Sequence, residues 1–278
     1  MSFEPQKING KFKGKDIISL DQFSPKDISI LFKLTKKMKT IAYNAKPSSV
    51  LSGKIVTLLF YEPSSRTFGS FGASVKQLGG QTVDILNPQV FSSVSKGESL
   101  EDTIRVFEAY SDAIVIRHSV AGTAKIAAQA AKFVPIINAG DGVGEHPTQT
   151  LLDLYTIQEK EGKLDSLTGV MVGDLLNGRT VHSLLKGLSL YKKNTVYLLS
   201  PDELKLSKED FQKFSSSGVK LIEIESEKEI PQDANFWYWT RVQKERLQPQ
   251  SLKNYENLKP DLLLIKIWLK KRQVRKQL

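Results

Sequence analysis

Eight short apolar runs rich in β-branched residues alternate along the chain with longer segments of helical period. The first four are Ile55–Phe60, Thr82–Leu86, Ala113–Ile116 and Val134–Ile137; the second four are Gly169–Val172, Thr195–Leu199, Val219–Ile224 and Asn235–Trp239. Between them lie Pro25–Met38, Ser99–Tyr110, Gly122–Ala131, His146–Gln158 and Gly178–Tyr191, with apolar residues spaced for one helical face. Continuously apolar runs of this length suit strands buried on both sides, and helices between them supply right-handed crossovers. The pattern predicts an α/β protein of two doubly wound domains, each a mainly parallel sheet flanked by helices. Four strands fall on either side of one long helix, which would join the domains. The polar turn Glu159–Lys163 is read as the passage between them, giving domains of residues 1–160 and 161–278.

Composition narrows the chemistry. Of 278 residues none is cysteine and three are histidine (His118, His146, His182), so a disulfide frame, a thiolate metal site and a histidine-rich metal centre are not expected. The N-terminus has no apolar core of signal-peptide length and no run approaches a membrane span, which predicts a cytoplasmic protein with no membrane partner. The net charge is +10, but six of those charges (Lys266, Lys270, Lys271, Arg272, Arg275, Lys276) sit in the last thirteen residues. The remaining excess suits an enzyme for anionic metabolites, and without basic–aromatic interleaving no nucleic-acid partner is expected.

Ligands of open parallel sheets bind beyond the carboxyl ends of the strands, and the polar residues gather there. Glu62-Pro63-Ser64-Ser65-Arg66-Thr67 follows the first strand and leads into a helical segment starting after Thr67. Three hydroxyls and a guanidinium at a helix N-terminus make a cradle for a phosphate dianion. Arg117-His118 and Asn138-Ala139-Gly140-Asp141-Gly142 follow the third and fourth strands. Gly173-Asp174 with Gly178-Arg179 follows the fifth, and Arg241 with Gln243 the eighth. His146 and Gln149, one helical turn apart beside Pro147, can hydrogen-bond the oxygen and nitrogen of a carbonyl-type group. Arg179 and Arg241 together match a dicarboxylate. Lys96 lies in the polar loop Ser92–Glu98. The whole describes two anion sites facing one another across a domain cleft.

These motifs, with Lys96-Gly97-Glu98, Asp102-Thr103 and Thr240–Arg246, resemble in order and spacing the aspartate carbamoyltransferase family, catalytic chain, from about Asp16 to Arg246. The resemblance implies transfer of the carbamoyl group of carbamoyl phosphate to L-aspartate, a step of pyrimidine synthesis, with no cofactor and no metal. It assigns carbamoyl phosphate to Ser64, Ser65, Arg66, Thr67, Arg117, His146 and Gln149. It assigns aspartate to Lys96, Arg179, Arg241 and Gln243, and catalysis to Thr67, Arg117, His146 and Lys96. Glu62 would pair with Arg179 and Arg246 when the domains close. Lys96 and a loop serine (Ser92 or Ser93) would come from a neighbouring subunit of a homotrimer, and a regulatory chain is compatible with such an assembly. The family's His-Pro-Leu-Pro-Arg loop has no counterpart after Arg246, so the C-terminal part is read as truncated or divergent. Carbamoyl phosphate binding is therefore the firmer expectation, and a relative that binds it without efficient turnover is the alternative. An ornithine carbamoyltransferase fits less well, because Arg241-Val242-Gln243 suits a dicarboxylate.

Overall fold

In a computed structural model the chain forms two compact units that divide between Tyr155 and Thr156. The structure describes residues 3–44, 47–91 and 93–240. Arg241, Gln243, Arg246, Ser92 and the C-terminal stretch after Arg246 lie outside them.

The first unit opens with α1 (Pro25–Asn44), then β1 (Ile55–Phe60), α2 (Ser65–Gln77), β2 (Gln81–Leu86) and the single turn α3 (Pro88–Phe91). It continues with α4 (Leu100–Glu108), β3 (Ala113–His118), α5 (Thr123–Ala130), β4 (Ile136–Asp141) and α6 (Pro147–Glu161), whose last turns pass the division. Its four strands pair in the order β2-β1-β3-β4, all parallel. Strand alternation explains the layering. Val56, Leu58 and Phe60 face Val75, Phe68 and Phe71 of α2, whereas Leu59 and Tyr61 pack with Ile104 of α4 and Ala124 and Ala127 of α5. Apolar side chains on both faces of β1 require cover on both sides, which makes the sheet doubly wound.

The second unit holds β5 (Thr168–Val172), α7 (Arg179–Leu188), β6 (Thr195–Leu199), α8 (Lys208–Ser216), β7 (Lys220–Ile224) and β8 (Phe236–Trp239). Its strands run parallel in the order β7-β6-β5-β8. Gly169 of β5 lies beneath the Phe236 ring of β8; a Cβ there would stand 2.2 Å from a ring carbon. Among the described residues no helix is long and apolar enough to cross a membrane.

Four expectations need correction. Strands β3 and β4 continue through Arg117-His118 and through Asn138–Asp141, which the sequence places in loops. Ladder pairing and side-chain partners, such as the Ala139 carbonyl and Glu62 for Arg117, let polar residues end a buried strand. Glu159–Glu161 is helical rather than a turn, and the chain breaks from α6 at Gly162, whose φ of +74° suits glycine. Helix α1 extends six residues past Met38, since no breaker intervenes. Helix α8 was not anticipated; its cap Ser207 and first-turn Glu209 and Asp210 are the signal that could have found it.

Candidate active site

Helix α2 begins earlier than the residue pattern predicts, at Ser65 directly after the β1 edge, with Ser64 as its N-cap. The Ser64 side chain makes no capping hydrogen bond, and its carbonyl accepts from Phe68 N. The N–H groups of Ser65, Arg66 and Thr67 open the helix, where no preceding turn supplies carbonyl partners. Ser64 and Thr67 are half-buried, Ser65 and Arg66 exposed. Backbone donors and the positive end of a 13-residue helix thus lie beside three hydroxyl-bearing residues, an arrangement suited to a phosphate. Of Ser64–Thr67 only Thr67 lines the cavity that also holds His146 and Gln149.

Arg117 stands in the neighbouring strand, in register with Phe60, and its side chain is only 7% exposed. Nη1 donates to the Ala139 carbonyl of β4 (2.9 Å), and Nη2 lies 2.7 Å from a Glu62 carboxylate oxygen. The guanidinium is therefore held between the next strand and the residue that leads into the α2 cradle. The resemblance gave Glu62 to Arg179 and Arg246; here it engages Arg117.

His146 is buried at the start of α6. Its Nδ1 faces the backbone N–H of Gln149 (3.4 Å) and the Thr148 hydroxyl (3.3 Å). A backbone N–H can only donate, so Nδ1 accepts and the neutral ring carries its proton on Nε2. The Gln149 amide nitrogen donates to Asp153 Oδ1 (3.0 Å), which orients the amide and leaves Oε1 as its acceptor. Thr67, His146 and Gln149 line one cavity of about 200 Å³, walled by Phe71 and Leu152. A donor at His146 and an acceptor at Gln149 match the two ends of a carbamoyl group.

Next to Arg117, the His118 ring packs against Tyr61 at a tilt of 43°, with ring centroids 4.6 Å apart. Burial lowers its pKa below the usual imidazole range, although Asp141 and Glu62 pull the other way. Asp141 is itself buried, and burial raises its carboxyl despite hydrogen bonds from Gly122 and Glu145. Lys96 sits on an exposed 3₁₀ turn, Ser93–Lys96, and is not among the residues lining the cavity. Arg179 is the first residue of α7 in the second unit, behind the N-cap Gly178. Ser19 makes a contact that the local pattern does not show. Asp153 lies at i+4 spacing from Gln149, whereas Ser19 meets its partner 126 residues away and left no local signal.

Residues 15–159 match the family described as aspartate/ornithine carbamoyltransferase, carbamoyl-P binding domain. An aspartate carbamoyltransferase catalytic subunit of Methanobrevibacter smithii is 46% identical over 235 residues, covering 84% of this chain and 74% of the relative. A chloroplastic aspartate carbamoyltransferase of Arabidopsis thaliana is 45% identical over 236 residues, and the chain spans 60% of that relative's length. The catalytic subunit of M. jannaschii aspartate transcarbamoylase superposes with a TM-score of 0.78 at 42% identity, covering 86% of this chain and 78% of that one. The Trypanosoma cruzi aspartate transcarbamoylase in complex with carbamoyl phosphate and aspartate superposes with a TM-score of 0.76 at 40% identity. It covers 83% of this chain and 74% of its own.

Proposed function

The chain belongs to the aspartate carbamoyltransferase family, catalytic chain, and we propose that it transfers the carbamoyl group of carbamoyl phosphate to the amine of L-aspartate. The observation that carries this reading is the shared cavity of Thr67, His146 and Gln149 beside the uncapped N-terminus of α2. Phosphate binds the N–H groups and hydroxyls of Ser64–Thr67 with Arg66 and Arg117. The carbonyl oxygen receives hydrogen bonds from Thr67, Arg117 and His146 Nε2, and the carbamoyl NH₂ donates to Gln149 Oε1.

The aspartate nitrogen forms a bond to the carbonyl carbon, the C–O bond to phosphate breaks, and the amine gives up a proton to the departing phosphate. Products are N-carbamoyl-L-aspartate and phosphate. Negative charge grows on the carbonyl oxygen during attack, so donors already in place there stabilise the transition state more than the ground state. Fixing both reactants supplies the rest.

Arg179, Arg241 and Gln243 hold the aspartate in this reading, and Glu62 later serves domain closure with Arg179 and Arg246. The exposed position of Lys96 favours its acting in a neighbouring subunit's site within a homotrimer. A regulatory chain could join that assembly. The domains are residues 1–160 for carbamoyl phosphate and 161–278 for aspartate, in a cytoplasmic protein.

The test is direct. Purified protein given carbamoyl phosphate and aspartate should form N-carbamoyl-L-aspartate, and ornithine should not replace aspartate. Phosphate binding without product would identify a carbamoyl phosphate binder instead.

A further inference from the structure

The loop that leads to His146 closes on a carboxylate that is not among the residues lining the cavity. Asp141, the last residue of β4, is buried under the loop that leads to α6. Its Oδ1 accepts from Glu145 N (2.7 Å) and its Oδ2 from Gly122 N (2.9 Å), so one side chain ties the loops after β3 and β4 together. The main chain closes the same loop: Asp141 O accepts from Gly144 N (2.8 Å), Asp141 N donates to Glu145 O (3.3 Å), and Gly142 N donates to His118 O (2.8 Å). The loop wraps the carboxylate so tightly that a Cβ at Gly144 would lie 2.6 Å from Oδ1. At Gly142, φ is +57° and a Cβ would meet Ser119 O at 2.3 Å.

The residue before His146 is anchored a second time. Glu145 Oε1 accepts from Ser19 Oγ (2.7 Å) and Oε2 from Leu20 N (2.9 Å), while Asn138 Nδ2 donates to Ile18 O (3.0 Å). The N-terminal segment itself joins β4 through Ile17 N to Ile136 O and Asn138 N to Ile17 O, both 2.8 Å. β4 also supplies the Ala139 carbonyl that holds Arg117.

We propose that Asp141 is a positioning residue for His146, with Glu145 and the N-terminal segment as its second anchor. The proposal rests on the reading that His146 meets the carbamoyl oxygen. Both Asp141 oxygens accept from donors that cannot reverse, and a charged acceptor binds them more strongly than a neutral one. Asp141→Asn keeps the volume but sets an NH₂ against one of the two N–H groups, so an amide cannot substitute.

Only three histidines are present, so histidine-selective ¹⁵N labelling gives a readable spectrum, with His146 assigned by its loss in His146→Gln. Asp141→Asn should shift or broaden the His146 ring signals and leave those of His182 in the second unit unchanged. It should lower kcat on the order of 10–100-fold, with a smaller change in the KM for carbamoyl phosphate. Ser19→Ala, a milder change that does not touch the buried carboxylate, should move the His146 signals in the same direction by less. His146 signals that superimpose on the wild type in both variants would overturn the proposal, as would His182 signals moving as far as those of His146. Absence of turnover in the wild-type protein would refute the functional reading instead, and the histidine spectrum still decides the positioning.

Discussion

The Arg117 guanidinium lies 2.7 Å from the carboxylate of Glu62, the residue that leads into the N-terminus of α2. In the proposed function Glu62 and a bound phosphate compete for this cation. Removing the carboxylate charge takes away the competitor, so Glu62→Gln should bind inorganic phosphate more tightly by about 3–10-fold, on the order of 1 kcal/mol. Calorimetric titration of both proteins measures this, and equal or weaker binding by the variant contradicts it.

In the proposed reaction the Nε2–H of His146 donates to the carbonyl oxygen of carbamoyl phosphate. Replacement by alanine should lower kcat by about 10²–10³, the usual loss of one fixed donor at a developing oxyanion. Steady-state rates of N-carbamoyl-aspartate formation at saturating substrates give the number. A loss of only a few-fold would assign the proton donor elsewhere.

Acid stability has an identifiable contributor in Asp27. Burial disfavours its charge, but hydrogen bonds from the Ser24 hydroxyl, Ser24 N and Gly10 N, with help from Lys15, hold the carboxyl below its ordinary range. Its folded pKa is the lower one. The stabilisation is therefore present above the unfolded value of about 3.9 and is lost as pH falls through the folded value. Asp27→Asn should cost about 1 kcal/mol at pH 7, typical of a helix N-terminal cap. In urea unfolding the gap to wild type should narrow by pH 3, and a gap of constant size would refute the assignment.

The second unit offers a packing test. A methyl group at Gly169 would meet the Phe236 ring, so Gly169→Ala should destabilise the protein by about 1–3 kcal/mol through overpacking. Phosphate affinity should not change, because the cradle belongs to the other unit. Thermal unfolding followed with and without phosphate reads both quantities.

The strand β1 could be placed from sequence to the residue because Ile55–Phe60 is apolar except for Thr57 and ends at a polar cluster. β4 could not. Its second half, Asn138–Asp141, looks like a loop, and only the pairing with β3 and the bonds to Ile17 and Ile18 make it a strand. In the same way Thr67, His146 and Gln149 stood out by residue type and spacing, whereas the contact of Glu62 with Arg117 spans two elements and left no trace in the local pattern.

By itself the sequence determined the alternation of strands and helices, the parallel sheets and the hydroxyl-rich start of α2, because hydrophobic period and helix-terminus chemistry act over a few neighbouring residues. The tertiary structure decided what those residues touch. It set Arg117 between Ala139 and Glu62, and it gave the His146 loop to Asp141 and to a serine 126 positions earlier. Such contacts depend on which elements the sheet brings side by side, and sheet order is fixed by packing the whole chain rather than by any segment of it.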